Sequence, residues 1–138
     1  MIHTIELRTQ SRTVLVDITG QVEAVIKQSG IESGIAHIYV PHTTAAVTIN
    51  ENSDPAVGFD ITDTLSRLMP AHDEYEHSEG NADAHIKAAI VGSSRTVFIE
   101  NGKIAFGSWQ GIFFCEFDGP RVRKVYVKIV ADQKRKGD

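Results

Sequence analysis

The feature that most constrains the fold of this chain is its last third, in which three β-type runs are separated by two turns. The runs cover Thr96 to Glu100, Lys103 to Phe117 and Arg121 to Val130. Asn101-Gly102, between the first two runs, is the commonest sequence signal for a two-residue hairpin loop. Asp118-Gly119-Pro120 supplies the second turn. This part of the chain therefore predicts β-structure connected by tight turns.

Four shorter runs in the first half of the chain also predict strands. Met1 to Arg8 and Thr13 to Ile18 alternate apolar and polar residues, and we predict two antiparallel strands joined near Gln10-Ser11. Ile35 to Val40 and Ala45 to Ile49 are runs of β-branched or small apolar residues, as is typical of strands. The loop between this second pair has the sequence Pro41-His42-Thr43-Thr44.

Three helices are predicted between the strands from apolar residues at helical spacing. The first lies between a cap at Thr19-Gly20 and a stop at Gly30. The second begins at Asp54, which precedes Pro55, and ends at Pro70. The third begins with Asn81 as its cap and ends at Gly92. The residues predicted to face the core are Val22, Val25 and Ile26 in the first helix, Val57, Ile61, Leu65 and Leu68 in the second, and Ile86, Ala89 and Ile90 in the third.

The resulting order, β-β-α-β-β-α-α-β-β-β, predicts an α+β domain with about seven strands in two packed sheets and three helices. A chain of 138 residues with 41% hydrophobic content is large enough to bury a core. No linker, repeat or low-complexity segment divides it. We therefore expect one domain over residues 1–138, with residues 134–138 as a frayed tail.

Charge and composition exclude several classes of partner. Fourteen Lys and Arg against eighteen Asp and Glu give a net charge of −4, so no positive field exists to hold a nucleic acid or an anionic membrane. The basic cluster Lys134-Arg135-Lys136 falls in the predicted tail. One cysteine, Cys115, excludes an intramolecular disulfide, and its apolar surroundings predict a small buried side chain. With no signal peptide and no apolar stretch of about 20 residues, a cytoplasmic location is expected.

The six histidines have different contexts, and three of them suggest a metal site. His3 and His37 are expected on outer strand faces, and His72 is expected in solvent. His42, His77 and His85 lie at element ends and could converge on one cation, with Glu51 or Asn81 bonding a second ring nitrogen. Their spacing is not a compact metal signature. The alternative is that Asn81 caps, His85 packs and His77 is solvated.

Two further motifs also leave a functional and a structural interpretation open. Gly92-Ser93-Ser94-Arg95 could hold a phosphate through amides and hydroxyls, or could simply end a helix. Gly107-Ser108-Trp109-Gln110 could bind a ligand, or could place an aromatic residue in the core. The residues alone do not decide between these alternatives.

Three blocks of the sequence together resemble the YjbQ-like family, which is also described as secondary thiamine-phosphate synthases. They are HTTAAVTINEN at 42–52, HSEGNADAHIKAAIVGSS at 77–94 and GKIAFGSWQGIFFCEFDGPRVRKVYV at 102–127. The resemblance implies an α+β fold with seven strands in two sheets, a homotrimer, a His-lined pocket that can hold a metal, and a weak thiamine-phosphate synthase activity. Two positions depart from the family pattern: Ser108, where Thr is more usual, and Phe98, where a proline often follows a valine.

The resemblance assigns roles to individual residues of this chain. His42, His77 and His85 are the implied ligands of a divalent metal, zinc or magnesium. Asn50, Glu51 and Asn52 match an acidic-amide block. The catalytic role is given to Glu51, Trp109 and Gln110, with a pyrimidine stacked on Trp109 and read by Gln110. The residues expected to bind substrate are Thr43, Thr44, Asn81, Ser93, Ser94 and Arg121.

The implied reaction is attack of a thiazole nitrogen on the methylene of a hydroxymethylpyrimidine diphosphate, with diphosphate as the leaving group. Such a substitution needs stabilisation of the departing anion by a cation, hydroxyls or Arg121. The expected partners are thus a phosphorylated small molecule and copies of the same chain. Two other functions remain open, a metal-dependent hydrolase and a non-enzymatic trimer that binds a metal or a small ligand.

Overall fold

A computed structural model describes residues 1–134 of the chain, so all but one of the residues of the predicted tail lie outside the described part. It contains eight strands and three helices. The strands are β1 (Ile2–Arg8), β2 (Val14–Asp17), β3 (Ser33–Tyr39), β4 (Ala45–Glu51), β5 (Ser94–Glu100), β6 (Lys103–Ile104), β7 (Gln110–Glu116) and β8 (Val122–Ala131). The helices are α1 (Thr19–Ser29), α2 (Pro55–Leu68) and α3 (Ala82–Val91).

The strands form two antiparallel sheets. The larger sheet has the order β1-β8-β3-β5-β6, and the smaller has the order β2-β7-β4. The predicted α+β class, the three helices and the two sheets are confirmed. None of the helices within residues 1–134 has both the length and the apolar character needed to cross a bilayer.

The run predicted as one strand over 103–117 is divided between the two sheets, which raises the strand count to eight. Asn101 and Gly102 have φ angles of 53° and 73°, as a type I′ hairpin requires, and they join β5 to the short strand β6. The chain then leaves the larger sheet through Gly107–Trp109, where Trp109 adopts a φ of 65°. It enters the smaller sheet as β7. Apolar content alone could not reveal this turn.

The predicted pairing of the first two strands is wrong. β1 pairs with β8 in the larger sheet, with Ile5 opposite Val125. β2 pairs with β7 in the smaller sheet, with Val16 opposite Phe114. Alternation identifies a strand and its buried face but not its neighbour, and here consecutive strands belong to different sheets.

The main core lies between the two sheets and is closed by α1. It includes Ile38 and Val127 from the larger sheet, Ile112 and Phe114 from the smaller, and Val22 from α1. The predicted core face of α1 is confirmed, and Gly30 ends that helix in the left-handed conformation. The predicted cap at Thr19-Gly20 is wrong, because Ile18 occupies the N-cap position and no side chain caps the helix. A second cluster covers the opposite face of the smaller sheet, where Cys115 is buried as predicted. Burial raises the pKa of its thiol to about 12.

The helices α2 and α3 begin and end where predicted, but their buried faces differ from the prediction. Asp54 caps α2 by accepting from the Ala56 N–H at 2.9 Å. No residue of α2 is fully buried, and Leu68 is 70% exposed. Helix α3 leaves Ile86 and Ile90 exposed. Its buried residues are Ala82, Asp83, Ala84, Lys87 and Ala88.

The reversed orientation of α3 follows from a buried charge cluster that apolar spacing does not show. Asp83 accepts from Lys87 Nζ at 2.9 Å and from both terminal nitrogens of Arg12, at 3.1 and 3.2 Å. These bonds compensate the burial of the carboxylate. The small residues Ala84 and Ala88 then pack against Phe117 and Cys115 of the second cluster. Helix α3 is thereby fixed beside β4, with His85 near its N-terminal end.

Candidate functional site

The loop from Val40 to Thr44 carries the first candidate residues because it crosses from the larger sheet to the smaller. The Val40 N–H donates to Ser93 O at 2.8 Å, which holds the start of the loop beside the end of α3. The carbonyl of Thr44, at its other end, accepts from the Phe117 N–H at 3.2 Å. His42 and Thr43 are therefore presented from a loop that is anchored on both sides.

A cleft of about 670 Å³ opens between this loop, the start of α3 and the turn after β7. We refer to it as the histidine cleft. Its lining residues are Tyr39, Pro41, His42, Thr43, Thr44, Glu79, Asn81, His85, Asp118, Arg121 and Arg123. Seven of them are among the predicted site residues or their immediate neighbours in the loop, so segments far apart in sequence meet here.

A buried ion pair forms the floor of the histidine cleft. Arg123 of β8 donates through Nε and Nη2 to the two carboxylate oxygens of Glu116 on β7, and through Nη2 to Thr44 Oγ1 at 2.9 Å. Thr9 Oγ1 donates to the same carboxylate at 2.6 Å. The pair therefore ties the two sheets together at the end of the sandwich where the cleft opens.

The hydrogen bonds of Glu116 outweigh the effect of its burial. Burial raises the pKa of this carboxyl, and it is the largest single effect. The bonds from Arg123, from Thr9 and from the Asp118 N–H, together with the charge of Arg123, nevertheless hold the pKa below its ordinary value. Glu116 is thus a carboxylate that stays ionised under Arg123, and it does not offer a proton to the cleft.

His42 is half-buried at the side of the cleft. Its Nε2 accepts from the backbone N–H of Lys124 at 2.9 Å. Burial and then the positive charge of Arg123 lower the pKa of His42 below its ordinary value. Since an unperturbed histidine titrates near pH 6.5, His42 is neutral at pH 7.

Asn81 lies at the N-cap position of α3, but its side chain does not cap the helix, contrary to the prediction. Its Nδ2 donates to Asp118 Oδ2 at 2.9 Å, and its Oδ1 lies 2.9 Å from His77 Nε2. A carboxylate can only accept, so Asp118 fixes the orientation of the amide and leaves Oδ1 for the imidazole. The Asn81 side chain therefore links His77 to Asp118 and does not bond the backbone N–H groups at the start of α3.

His77 and His85 are in direct contact, with ring centroids 5.1 Å apart in an edge-to-face arrangement. Because Asn81 Oδ1 is an acceptor, His77 carries its hydrogen on Nε2 and has a free lone pair on Nδ1. Glu51, the other residue predicted to bond a ring nitrogen, lies at the far end of β4 and does not line the histidine cleft. Among residues 1–134, the ring of His85 has no hydrogen-bond partner, and it lines the histidine cleft together with His42.

Arg121 is the exposed cation of the cleft. Its Nε donates to Asp118 O at 2.7 Å and its Nη2 to Asp118 Oδ2 at 3.0 Å. Within the described part of the chain, its Nη1 has no protein acceptor and both of its N–H groups are available. Asp118 thus orients Arg121 on one side and Asn81 on the other.

The predicted hydroxyls are placed differently from one another. Thr43 is exposed at the cleft, whereas Thr44 is buried and its hydroxyl bonds Arg123. Ser93 lines a neighbouring cavity that shares His42, Thr43 and His85 with the histidine cleft. Ser94 is the first residue of β5 and pairs with Tyr39 in the larger sheet. Among residues 1–134, Thr43 and Ser93 are therefore the two predicted hydroxyls that line these cavities without a hydrogen bond to another protein group.

The three residues expected to be catalytic lie at the other end of the smaller sheet. Glu51 ends β4 and is paired with Gln110 of β7. Gln110 Oε1 accepts from the Gly107 N–H at 2.8 Å, and Trp109 is 68% exposed. Since β4 runs from Ala45 to Glu51, a rise of about 3.3 Å per residue separates its ends by about 20 Å. Trp109 and Gln110 therefore do not reach the histidine cleft of their own chain.

The three predicted metal ligands do not all present a free ring nitrogen. The Nε2 lone pair of His42 is engaged by the Lys124 N–H, whereas His77 and His85 each present a nitrogen free of protein donors. The part of the chain that the structure describes contains no group of three or more His, Cys, Asp or Glu side chains arranged to hold a metal. The site therefore fits at most two of the implied ligands, and the metal stays a prediction.

Sequence reasoning missed the residues that organise the cleft from below, Glu116, Asp118 and Arg123. One signal was available, since Glu116 is a carboxylate inside the otherwise apolar run Ile112–Phe117. Arg123 also alternates with Val125 and Val127 on the inward face of β8. A charged residue at an apolar position on each of two facing strands indicates a buried pair.

The chain is similar to known sequences over nearly its whole length. The YjbQ-like UPF0047 sequence model matches residues 3–132. The chain is 53% identical to a UPF0047 protein of Methanocaldococcus jannaschii, over 96% of each chain. It is 48% identical to the UPF0047 protein YugU of Bacillus subtilis, over 94% of this chain and 99% of the other.

Solved structures agree with the fold. A crystal structure of an uncharacterized protein of the YjbQ/UPF0047 family from Clostridium acetobutylicum superposes with a TM-score of 0.91 at 49% identity, covering 93% of this chain and 99% of the other. A YbjQ-like protein of unknown function from Sulfolobus solfataricus also gives a TM-score of 0.91, at 36% identity, covering 96% and 97%.

Proposed function

The chain belongs to the UPF0047 family of YjbQ-like proteins, and we propose that it binds a phosphorylated small molecule in the histidine cleft. The observation that carries the proposal is the convergence of three kinds of donor on one cleft. These are the guanidinium of Arg121, the hydroxyl of Thr43 and the imidazoles of His42 and His85. Phosphate oxygens are acceptors that such a set of donors suits.

The charges around the cleft are compatible with an anionic ligand. The charge of Glu116 is neutralised by Arg123 and that of Asp118 by Arg121, while Asn81 donates a further hydrogen bond to Asp118. Glu79 is the remaining carboxylate, and its side chain is 76% exposed, so water and salt screen its charge. Arg121 keeps N–H groups that no described residue uses. A bound phosphate would therefore replace water at donors that are already in place.

The reaction that best suits this arrangement is the weak thiamine-phosphate synthase activity that the family resemblance implies. In it, the thiazole nitrogen forms a bond to the pyrimidine methylene while the bond from that methylene to diphosphate breaks. The leaving diphosphate takes up the developing negative charge, and Arg121 and Thr43 would stabilise it. The proposal routes no step through a metal, since the described residues offer only two of the three implied ligands.

The experiment is an assay of the purified chain with hydroxymethylpyrimidine diphosphate and thiazole phosphate, with and without a chelator. Thiamine phosphate is followed by chromatography and the released diphosphate by phosphorus NMR. We expect product from the wild-type chain and at least tenfold less from Arg121→Ala, because a hydrogen bond to a charged group is worth about 1.5–3 kcal/mol. Arg67→Ala, which removes an exposed arginine of α2, is the matched control.

Each other result selects a different function. Release of phosphate without coupling, abolished by the chelator, would indicate the metal-dependent hydrolase. Binding of either precursor without any reaction would indicate a ligand-binding protein. Failure of both precursors and of inorganic diphosphate to bind the wild-type chain would refute the proposed function.

We also propose that the working form is the homotrimer that the resemblance implies. The apolar side chains Phe59 and Leu68 of α2 are 72% and 70% exposed, and such surfaces commonly mark protein contacts. A trimer would also explain the Trp109–Gln110 pair, which is too far from the histidine cleft of its own chain to contact a ligand there. In that assembly these residues would contact a ligand bound in the histidine cleft of a neighbouring chain.

A further inference from the structure

We infer that His42 donates a hydrogen bond through Nδ1 to an anionic group of the ligand and is not a metal ligand. The inference rests on the proposed phosphate binding and assigns one residue a definite chemical role within it. It follows from the hydrogen bond that holds the ring, which determines which nitrogen carries the hydrogen.

The contact with Lys124 determines the tautomer of His42. The backbone N–H of Lys124 donates to His42 Nε2 at 2.9 Å. A backbone amide cannot act as the acceptor through its nitrogen, so Nε2 must present its lone pair. The single hydrogen of a neutral imidazole then resides on Nδ1. Lys124 lies in β8 and is paired with Glu6 of β1, so its N–H is held by the sheet and does not depend on a mobile side chain.

The Nδ1 atom of His42 is accessible from outside the protein. No side chain or backbone group among residues 1–134 bonds this nitrogen. His42 is only half-buried, and the described part of the chain contains no fully buried side-chain nitrogen or oxygen without a partner. Solvent therefore reaches Nδ1. Because the ring lines both the histidine cleft and the adjoining cavity that contains Ser93, a ligand reaches it as well.

His77 is held by a different kind of hydrogen bond from His42. Asp118 fixes the amide of Asn81, and Asn81 Oδ1 then requires a hydrogen on His77 Nε2. His77 therefore has a free lone pair on Nδ1, whereas His42 has an N–H at the same ring position. His42 and His77 carry opposite tautomers, and of these two only His77 has a free lone pair with which to accept or to coordinate. The three residues thus do not form a uniform ligand set.

The tautomers can be measured on the wild-type chain without any ligand. Labelling the histidines with nitrogen-15 and recording long-range nitrogen–proton correlations shows which ring nitrogen is protonated. We expect a protonated Nδ1 and an unprotonated Nε2 for His42, and the reverse for His77. A hydrogen on Nε2 of His42 at neutral pH would overturn the inference, whether or not the protein binds phosphate.

Two matched substitutions separate the donor role from the contact with Lys124. In His42→Asn, the amide nitrogen lies as many bonds from Cβ as Nδ1 and can replace it as a donor. In His42→Gln, the amide oxygen lies as many bonds from Cβ as Nε2 and can accept from Lys124, but nothing stands at the Nδ1 position. The probe is inorganic diphosphate, with affinity measured by titration calorimetry and folding by circular dichroism.

We expect His42→Asn to bind diphosphate within about threefold of the wild-type chain and His42→Gln to bind about tenfold more weakly, because one hydrogen bond to an anion is lost. The reverse order would show that His42 acts only through its contact with Lys124, and would overturn the inference. If the wild-type chain itself does not bind diphosphate, the proposed function fails, and the tautomer of His42 is still decided by the spectrum.

Discussion

At the scale of single residues, three carboxylates that are hydrogen-bonded to other side chains stabilise the end of the sandwich where the cleft opens. Asp83, Glu116 and Asp118 are each bonded by a cation or an amide of the same chain. The pKa of each is lowered although burial opposes this. The donors around the cleft are therefore oriented before any ligand arrives, which is the condition for binding an anion without reorganisation.

Arg121→Ala should weaken binding of inorganic diphosphate by about 10- to 100-fold, since a hydrogen bond to a charged group contributes about 1.5–3 kcal/mol. The fold should be unaffected, because the side chain of Arg121 is 52% exposed. Titration calorimetry measures the affinity, and Arg67→Ala should leave it unchanged. Equal affinities of the wild-type and Arg121→Ala chains would remove Arg121 from the site.

The buried pair of Glu116 and Arg123 predicts a dependence of stability on acid pH. The pKa of Glu116 in the folded chain lies below the value of about 4.3 expected when unfolded. Its stabilisation is thus present above that value and is lost as the pH falls through the lower folded pKa. Urea unfolding from pH 7 to pH 3 should show this loss for the wild-type chain.

The matched variants for this prediction are Glu116→Gln and Asp63→Asn. Glu116→Gln should lower the free energy of unfolding at pH 7 by about 3–5 kcal/mol, because it leaves Arg123 buried without its counter-charge. Its stability should then vary less with pH. Asp63 pairs with Arg67 on the surface of α2, so Asp63→Asn should cost less than about 1 kcal/mol. Similar costs for both variants would contradict the assigned role of Glu116.

At the scale of elements, the residues at the N-cap positions of α2 and α3 have different roles. Asp54 bonds the first turn of α2 and so acts as a cap. Asn81 occupies the same position in α3, but its amide bonds His77 and Asp118. The stretch from His77 to His85 therefore positions groups of the cleft, and α3 is anchored by Asp83, Lys87 and Arg12 instead.

Asn81→Ala should change the site more than the helix. We expect a loss of about 1–2 kcal/mol of stability from two hydrogen bonds, together with a change in the protonated nitrogen of His77 and weaker diphosphate binding. Asp54→Ala should cost about 1 kcal/mol through loss of the cap, with no change at His77. Urea unfolding and the nitrogen-15 spectra of both variants provide the measurement. An unchanged His77 spectrum in Asn81→Ala would show that Asn81 does not determine which nitrogen of His77 is protonated.

At the scale of the whole molecule, the fold places the predicted residues in two groups at opposite ends of the smaller sheet. His42, Thr43, His85 and Arg121 line the histidine cleft. Glu51, Trp109 and Gln110 lie about 20 Å away by the length of β4. A site that uses both groups therefore requires more than one chain. The proposed trimer would bring the two groups together from neighbouring chains.

Light scattering at micromolar concentration should give three times the 15.2 kDa mass of the chain. We expect His85→Ala and Trp109→Ala each to lose synthase activity, and mixing them under conditions that exchange subunits should restore part of it, since some interfaces combine an intact residue from each chain. A monomeric mass would refute the trimer. A trimer without restored activity would show that Trp109 does not serve the cleft of a neighbour.

The sequence predicted local structure well and long-range arrangement poorly, for physical reasons. The Asn101-Gly102 hairpin, the Asp54 cap and the Gly30 stop depend on backbone preferences of a few residues, and all three were predicted. The pairing of β1 with β8 and the break before β7 depend on contacts between distant segments. The inward face of α3 was missed because Asp83 and Lys87 are buried as a pair, which apolar spacing cannot show.

The candidate site could also be predicted from the sequence only in part. The resemblance identified the residues that line the cleft, but not the residues beneath it, which bond one another across two sheets. The tautomers of His42 and His77 depend on Lys124 and Asp118, and these partners are assigned only by the fold. Distance along the sequence also gave no indication that Trp109 and His42 lie at opposite ends of a sheet.

A crystal structure of the chain with inorganic diphosphate tests the central claim most directly. We predict diphosphate oxygens within hydrogen-bond distance of the guanidinium of Arg121, of Thr43 Oγ1 and of His42 Nδ1. The second large cleft, lined by Lys27 and Lys103, offers the anion an alternative position. Diphosphate bound between those lysines, with the histidine cleft unoccupied at saturating concentration, would contradict the account.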